Sequence, residues 1–300
     1  MALPALHTAI TLPADGVAPR GTLVFIHGFP DTVDVWKDQI ECMSEKGFRC
    51  LALALPGFAG REQAAQFSHS RWGYGFTTLA DAMAKAIRDG LNDESKVTLV
   101  IHDWGSLLGF WLQNRYPHLI KAVVAMDVGP MEWHFGRRPQ LHDAPKMLFL
   151  GLLYHFMLCS IWLFSLLVPF FGARLMDRLV VKLFHLGKLP IARYAGEGEM
   201  SALCIYPYAY LWRDFVLELV GLKSPAGNKT ELNDVPSCPC LFFWGQAKGI
   251  TFHNAGWADA LAARTDGSEA VPLKEGEHYL MLECPDEVNS RMDSWLAARG

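Results

Sequence analysis

Short apolar, β-branched runs recur along the chain and alternate with segments whose apolar residues fall at helical spacing. The runs at residues 21–27, 49–55, 97–102, 121–126, 240–244 and 270–273 have few polar interruptions, which predicts strands buried on both faces. Segments 33–46, 77–91, 104–116, 255–264 and 286–298 predict helices, and Pro56-Gly57 and Pro117 mark stops between elements. Such alternation predicts an α/β fold: a mostly parallel central sheet flanked by helices. The pattern breaks across residues 130–232, where helical, aromatic-rich sequence takes over. The expected organisation is a core at 1–129 and 233–300 with one helical, lipophilic cap inserted at 130–232. No internal repeat or low-complexity stretch is visible.

Composition narrows the function classes. Three hundred residues suit one large α/β domain with an inserted lid. A net charge of −4 argues against nucleic acid as a partner. The seven cysteines are scattered, and Cys238-Pro239-Cys240 has the wrong spacing for a redox or zinc pair. Reduced thiols are expected, with no metal and no cofactor. Residues 1–20 lack a basic stretch followed by an apolar one, so no secretory signal is expected and a cytoplasmic location is.

The cap carries an unusual stretch. Residues 147–173 contain no Asp, Glu, Lys or Arg, a length that would cross a bilayer as a helix. Gly151, His155, Pro169 and Gly172 interrupt it, and a lone span would put core strands on opposite sides of a membrane. Residues 133–195 hold eight Lys/Arg and two Asp/Glu, a local charge of +6 in an acidic chain. Three readings stay open: a lid buried on the core or in a homodimer, a lid resting on an anionic membrane surface, and a true span.

Chemistry concentrates at Asp103. The strand at 97–102 runs into the helix at 104–116, and Asp103 stands on the sharp turn between them, where a serine hydrolase would carry its nucleophile. Amide N–H groups at the new helix's start would face the reacting atom. A carboxylate attacking an ester or amide carbonyl gives a reactive anhydride, whereas attack on a saturated carbon gives a hydrolysable alkyl ester. The residue type therefore points to epoxides or carbon–halogen bonds. The plain alternative for Asp103 is a helix N-cap.

Three segments, His27-Gly28-Phe29-Pro30-Asp31, His102-Asp103-Trp104-Gly105 and Gly276-Glu277-His278, give the chain a resemblance to the α/β-hydrolase fold family. More narrowly, it resembles the epoxide hydrolase and haloalkane dehalogenase branch. The resemblance spans about residues 22–296 and implies an oxyanion hole from the backbone N–H groups of Phe29 and Trp104. It also implies His278 as the base that activates water, with His253 read as structural. The acid that orients the base commonly follows the strand ending at Gly245, yet Gln246-Ala247-Lys248-Gly249-Ile250 holds none. Asp127, at the end of the preceding strand, is expected to serve instead; the alternative is a degraded relay and a slow or inactive enzyme. Ile101 is a second departure, because the resemblance implies a small residue two places before the nucleophile.

Epoxide opening creates an alkoxide and needs proton donors, which the resemblance places on two lid tyrosines. Tyr154 and Tyr210, 51 and 107 residues after Asp103, match the implied offsets, although Trp212 rather than a tyrosine stands directly before Arg213. Halide departure needs N–H donors: Trp104 suits it, Phe29 offers no side-chain donor, and Trp133 or Trp162 would have to substitute. The expected reaction is conversion of a hydrophobic epoxide to a vicinal diol through a covalent alkyl ester on Asp103. A haloalkane dehalogenase, another hydrolase and a non-catalytic lipid-binding member of the fold are the alternatives.

Overall fold

The computed structural model describes residues 3–58, 70–91, 96–130, 144–167, 178, 182, 202–222, 236–248, 251–253 and 255–299. Its centre is a seven-stranded sheet in the order β1-β3-β2-β4-β5-β6-β7. The strands are β1 (His7–Thr11), β2 (Gly21–Ile26), β3 (Phe48–Ala54), β4 (Val97–His102), β5 (Ile120–Met126), β6 (Cys240–Gly245) and β7 (Glu269–Leu273). All neighbours are parallel except β1, which runs antiparallel along β3. The six parallel strands match the apolar runs, because strands covered on both faces read as continuous hydrophobic sequence. Strand β1 has no such run: it is an edge strand with four exposed residues, held by its backbone pairing to β3.

Helices α1 (Lys37–Glu45), α2 (Phe76–Gly90), α3 (Trp104–Arg115), α6 (Ala255–Ala262), α7 (Leu280–Glu283) and α8 (Pro285–Ala297) cover the sheet. The helix expected at 33–46 is a 3-10 turn, Val33–Trp36, followed by α1. Thr32 caps that turn, its hydroxyl accepting the Asp34 N–H at 3.3 Å. Helix α3 is buried at ten of its positions, Trp104 to Gln113, because it lies between the sheet and neighbouring helices.

Between β5 and β6 the chain carries α4 (Ala144–Leu167), a 3-10 turn at Ala202–Ile205 and α5 (Tyr206–Leu219). Pro207 sits in the first turn of α5, where its missing N–H costs nothing. On α4, Leu158, Ile161 and Leu166 are buried while Phe156 and Leu167 are each 71% exposed. Among the described residues no helix is long and apolar enough to cross a membrane. Trp133, residues 168–173 of the apolar stretch and the boundary at 232–233 lie outside the described residues.

The departure at Ile101 has a structural answer. Its side chain is fully buried against α3, directly opposite Gly109. The space that a bulky residue before the elbow requires is supplied by the missing side chain eight positions later.

Candidate active site

Parallel strands place their C-terminal ends on one edge of the sheet, and each candidate residue stands just past such an end. Asp103 follows β4, Asp127 follows β5, His278 follows β7, and Phe29 lies in the loop after β2. Asp103 sits at φ 52° and ψ −123°, and Asp127 at φ 65°. This backbone geometry turns the Asp103 carboxylate out of the sheet. Phe29 N–H donates to Asp103 Oδ1 at 2.7 Å, and the Trp104 N–H also donates to the carboxylate. Gly28 lets the loop after β2 come this close, since a Cβ there would lie 2.3 Å from Asp103 Oδ1.

The other oxygen, Asp103 Oδ2, faces His278 Nε2 at 3.8 Å. On the far side of the ring, His278 Nδ1–H donates to Asp127 Oδ2 at 2.6 Å. The three residues singled out from the sequence thus form one line, Asp103–His278–Asp127. Asp127 is fully buried and its own N–H is held by Phe243 C=O at 2.7 Å.

Burial raises the Asp103 pKa above the ordinary carboxylate range, while His278 and the two amide donors work to lower it. Burial lowers the His278 pKa, with Asp103 acting in the opposite direction. The resting imidazole is therefore neutral near pH 7, as a base must be. With Nδ1–H committed to Asp127, its lone pair is on Nε2, toward Asp103.

Two further histidines, both fully buried, brace this arrangement. His102 Nε2–H donates to the His278 carbonyl at 2.9 Å, fixing the backbone that carries the imidazole. His27 Nδ1–H donates to Gly28 C=O at 2.8 Å, and its Nε2 accepts the Leu55 N–H at 3.1 Å. Burial pushes His27 down to about 4, so it stays neutral and ties the Phe29 loop to β3. His253 packs on Phe242 and Trp244, with ring centroids 4.9 and 5.2 Å away, outside the Asp103–His278 line.

The inserted helices lay aromatic side chains over the line. The Tyr208 ring stands edge-on to Trp104 at 4.7 Å and to Phe29 at 5.5 Å. Its hydroxyl is 3.4 Å from that of Tyr154 on α4. Both phenols lie close enough to Asp103 for its charge to raise their pKa values, although burial is the larger cause. Tyr210, the expected second tyrosine, is elsewhere: it packs on Tyr206 at 6.4 Å and beneath the Arg213 guanidinium at 4.3 Å. Helix α5 begins at Tyr206, so residues 206 and 210 share one face and Tyr208 projects from another. Trp162 packs on Trp72 at 6.4 Å.

A cavity of about 210 Å³, lined by Arg20, Thr98, Lys121 and Arg299 among others, opens at the opposite edge of the sheet. Its lining comes from strand beginnings, from Leu296 on α8 and from Arg299 just after it, so it is separate from Asp103. Among the described residues no cluster of His, Cys, Asp and Glu could hold a metal ion.

Residues 21–151 match a family described as the alpha/beta hydrolase fold. A haloalkane dehalogenase of Mesorhizobium japonicum is 31% identical over 314 residues, covering 98% of this chain and 90% of that protein. An epoxide hydrolase of Neurospora crassa is 29% identical over 132 residues, 41% of this chain, and the match spans only 37% of that protein's length. Among solved structures, an epoxide hydrolase of Bacillus megaterium bound to an inhibitor superposes with a TM-score of 0.65 at 21% identity, covering 99% of both chains. That likeness is one of fold.

Proposed function

Since the chain belongs to the α/β-hydrolase fold family, we propose that it hydrolyses hydrophobic epoxides to vicinal diols, with Asp103 as nucleophile. The observation that carries this reading is the hydroxyl pair of Tyr154 and Tyr208, 3.4 Å apart above Trp104 and Phe29. An epoxide oxygen needs acidic O–H donors as its ring opens, and a departing halide does not.

In the proposed reaction Asp103 Oδ2, the oxygen that faces His278, attacks an epoxide carbon. The carbon–oxygen bond breaks, and the alkoxide takes a proton from Tyr154 or Tyr208. His278 Nε2 then removes a proton from water as that water attacks Asp103 Cγ. Negative charge develops on Oδ1, where the Phe29 N–H already points, with the Trp104 N–H bonded to the same carboxylate. The tetrahedral centre collapses, the Cγ–Oδ2 bond breaks, and the new hydroxyl on Cγ gives its proton to the departing oxygen, so that the diol leaves with the enzyme's oxygen and Asp103 is again a carboxylate. The imidazolium proton returns to the tyrosinate, so the sum is epoxide plus water giving diol. Asp127 orients the imidazole and offsets its charge while the water step runs. The surrounding aromatic rings suit an apolar substituent on the epoxide.

A haloalkane dehalogenase is the second reading, favoured by the relative of that name that aligns over 98% of the chain. The test is His278→Gln, which blocks the water step and leaves the alkyl ester in place. The variant is exposed to lipophilic epoxides and haloalkanes and its intact mass is read. Gain of a whole epoxide mass, absent when Asp103→Ala is added, supports the proposal. Gain of an alkyl group with loss of halide moves the assignment to dehalogenase. No adduct from a broad set of either class overturns the epoxide reading in favour of a lipid-binding role.

A further inference from the structure

We infer that Lys248 is a positioning residue of this site: its ammonium grips Asp127 Oδ1, which commits Asp127 Oδ2 to His278 and tempers the carboxylate's pull on the imidazole. The inference rests on the reading of His278 as the base. Lys248 Nζ is ion-paired with Asp127 Oδ1, and the lysine side chain is only 12% exposed against 0% for Asp127. A lysine buried this deeply is costly unless its charge is paired, and here its partner is the acid behind the base. The ammonium also lies 4.8 Å from the centroid of the Phe252 ring, whose own centroid is 5.4 Å from that of His278.

The backbone makes this placement specific. Lys248 lies in the loop leaving β6, the loop in which residues 246–248 hold no acid. Gln246 N–H donates to Leu273 C=O at 2.9 Å and Ala247 N–H to Gly276 C=O at 3.0 Å, which ties this loop to the one carrying His278. Gly245 N–H approaches Asp127 Oδ1 at 3.4 Å, on the same oxygen that Lys248 holds. One oxygen of Asp127 is therefore saturated by the β6 loop, and the other serves the imidazole. A carboxylate free to rotate would share both oxygens with His278 and aim it less sharply.

Burial lowers the Lys248 pKa to about 7, so the ammonium is present over the lower range in which His278 titrates, and there its charge has a direction of effect. The groups that face this cluster are Asp103 at the β4–α3 turn, Asp31 after β2, Asp127 after β5, Glu277 and Glu283 around α7, and the imidazoles of His102 and His253. Asp103, Asp31 and Glu283 favour the imidazolium form of His278, and Lys248 opposes it. Removing the ammonium should make His278 hold a proton to higher pH, leaving less free base for the water step.

The test is a substrate-free titration of His278 by NMR of protein carrying ¹⁵N-labelled histidine, the resonance being assigned by its loss in His278→Gln. Lys248→Met should raise the titration midpoint by about one pH unit, and Lys248→Arg should return it close to the wild-type value. Lys248→Gln, which keeps a polar side chain, should move it in the same direction as Met and provides the reading if Met at this position prevents folding. A midpoint that stays put or falls in the neutral variants overturns the inference. With an epoxide turned over, the acid limb of ester hydrolysis should rise in step, lowering the rate below that limb about tenfold. If wild-type protein turns over no epoxide, the functional proposal fails, while the titration still decides the role of Lys248.

Discussion

A methyl group placed on Gly109 would lie 2.7 Å from Ile101 Cγ2 and 2.9 Å from its Cδ1, so α3 and β4 meet through a glycine and an isoleucine that fit each other. Alanine is a better helix former than glycine by about 1 kcal/mol, yet overpacking here should outweigh that gain. Gly109→Ala is expected to lower stability by about 1–3 kcal/mol in the wild-type background. In an Ile101→Ala background the same change should stabilise, because the clash is gone and the propensity remains. Urea unfolding of the four proteins gives the coupling; additive effects would show that the two residues do not share this space.

Asp127→Asn should separate the two halves of the reaction. The amide can donate to Nδ1 and so favours the tautomer that puts the proton on Nε2, the wrong place for a base. Ester formation at Asp103 should continue while its hydrolysis slows by a factor on the order of 10⁴, the loss typical of a triad aspartate changed to asparagine. Intact mass after a substrate pulse should find the alkylated protein accumulating. Equal slowing of both steps would place Asp127 outside the water step.

Tyr154→Phe and Tyr208→Phe should each slow ester formation by about 10–100-fold, and the double change by more, as expected for loss of a proton donor. Tyr210→Phe should leave that rate near wild type. Single-turnover alkylation of the His278→Gln protein reads the step directly. A larger loss from Tyr210→Phe than from Tyr208→Phe would reverse the assignment.

Asp31 ties stability to pH. Burial, with the charge of Asp103, pushes its pKa from 3.8 up to about 7. The folded protein therefore holds a proton that the unfolded chain releases, and stability should fall as pH rises between about 4 and 7. The shift corresponds to an upper bound of about 4 kcal/mol. Asp31→Asn should remove that slope, so its melting temperature relative to wild type should be more favourable at pH 8 than at pH 4. A constant difference across this range would rule out Asp31 as the source.

The six parallel strands could be read from the chain because burial on both faces leaves nothing but apolar residues in them, and the elbow could be read because Asp103 sits where a strand pattern meets a helix pattern. Strand β1 escaped notice for the opposite reason: its side chains are largely exposed and its pairing is a property of the backbone. Distance along the chain points to Tyr210, whereas α5 sets Tyr208 beside Trp104 and Tyr154, a placement that spacing alone does not carry. The absent acid after β6 was legible as a gap. That a lysine from the same loop turns to hold Asp127 depends on side-chain placement between separate strands, which spacing does not carry. Ile101 fits because Gly109, eight positions later on α3, leaves room for it.

Asp103 and Asp127 both hold a left-handed backbone, at φ 52° and 65°, that residues with side chains rarely adopt. Each such position costs about 1–3 kcal/mol. Glycine would relieve that cost at either place, but at Asp127 it would also leave the buried Lys248 ammonium and the His278 ring without their partner. A lineage of this protein selected only for thermal robustness has an easy gain at Asp103, the residue proposed as nucleophile, where glycine removes a buried carboxylate as well as the strain. Heat resistance and the proposed turnover are therefore traded at this one backbone position, and variants recovered from a screen for stability alone should be enriched in inactive ones.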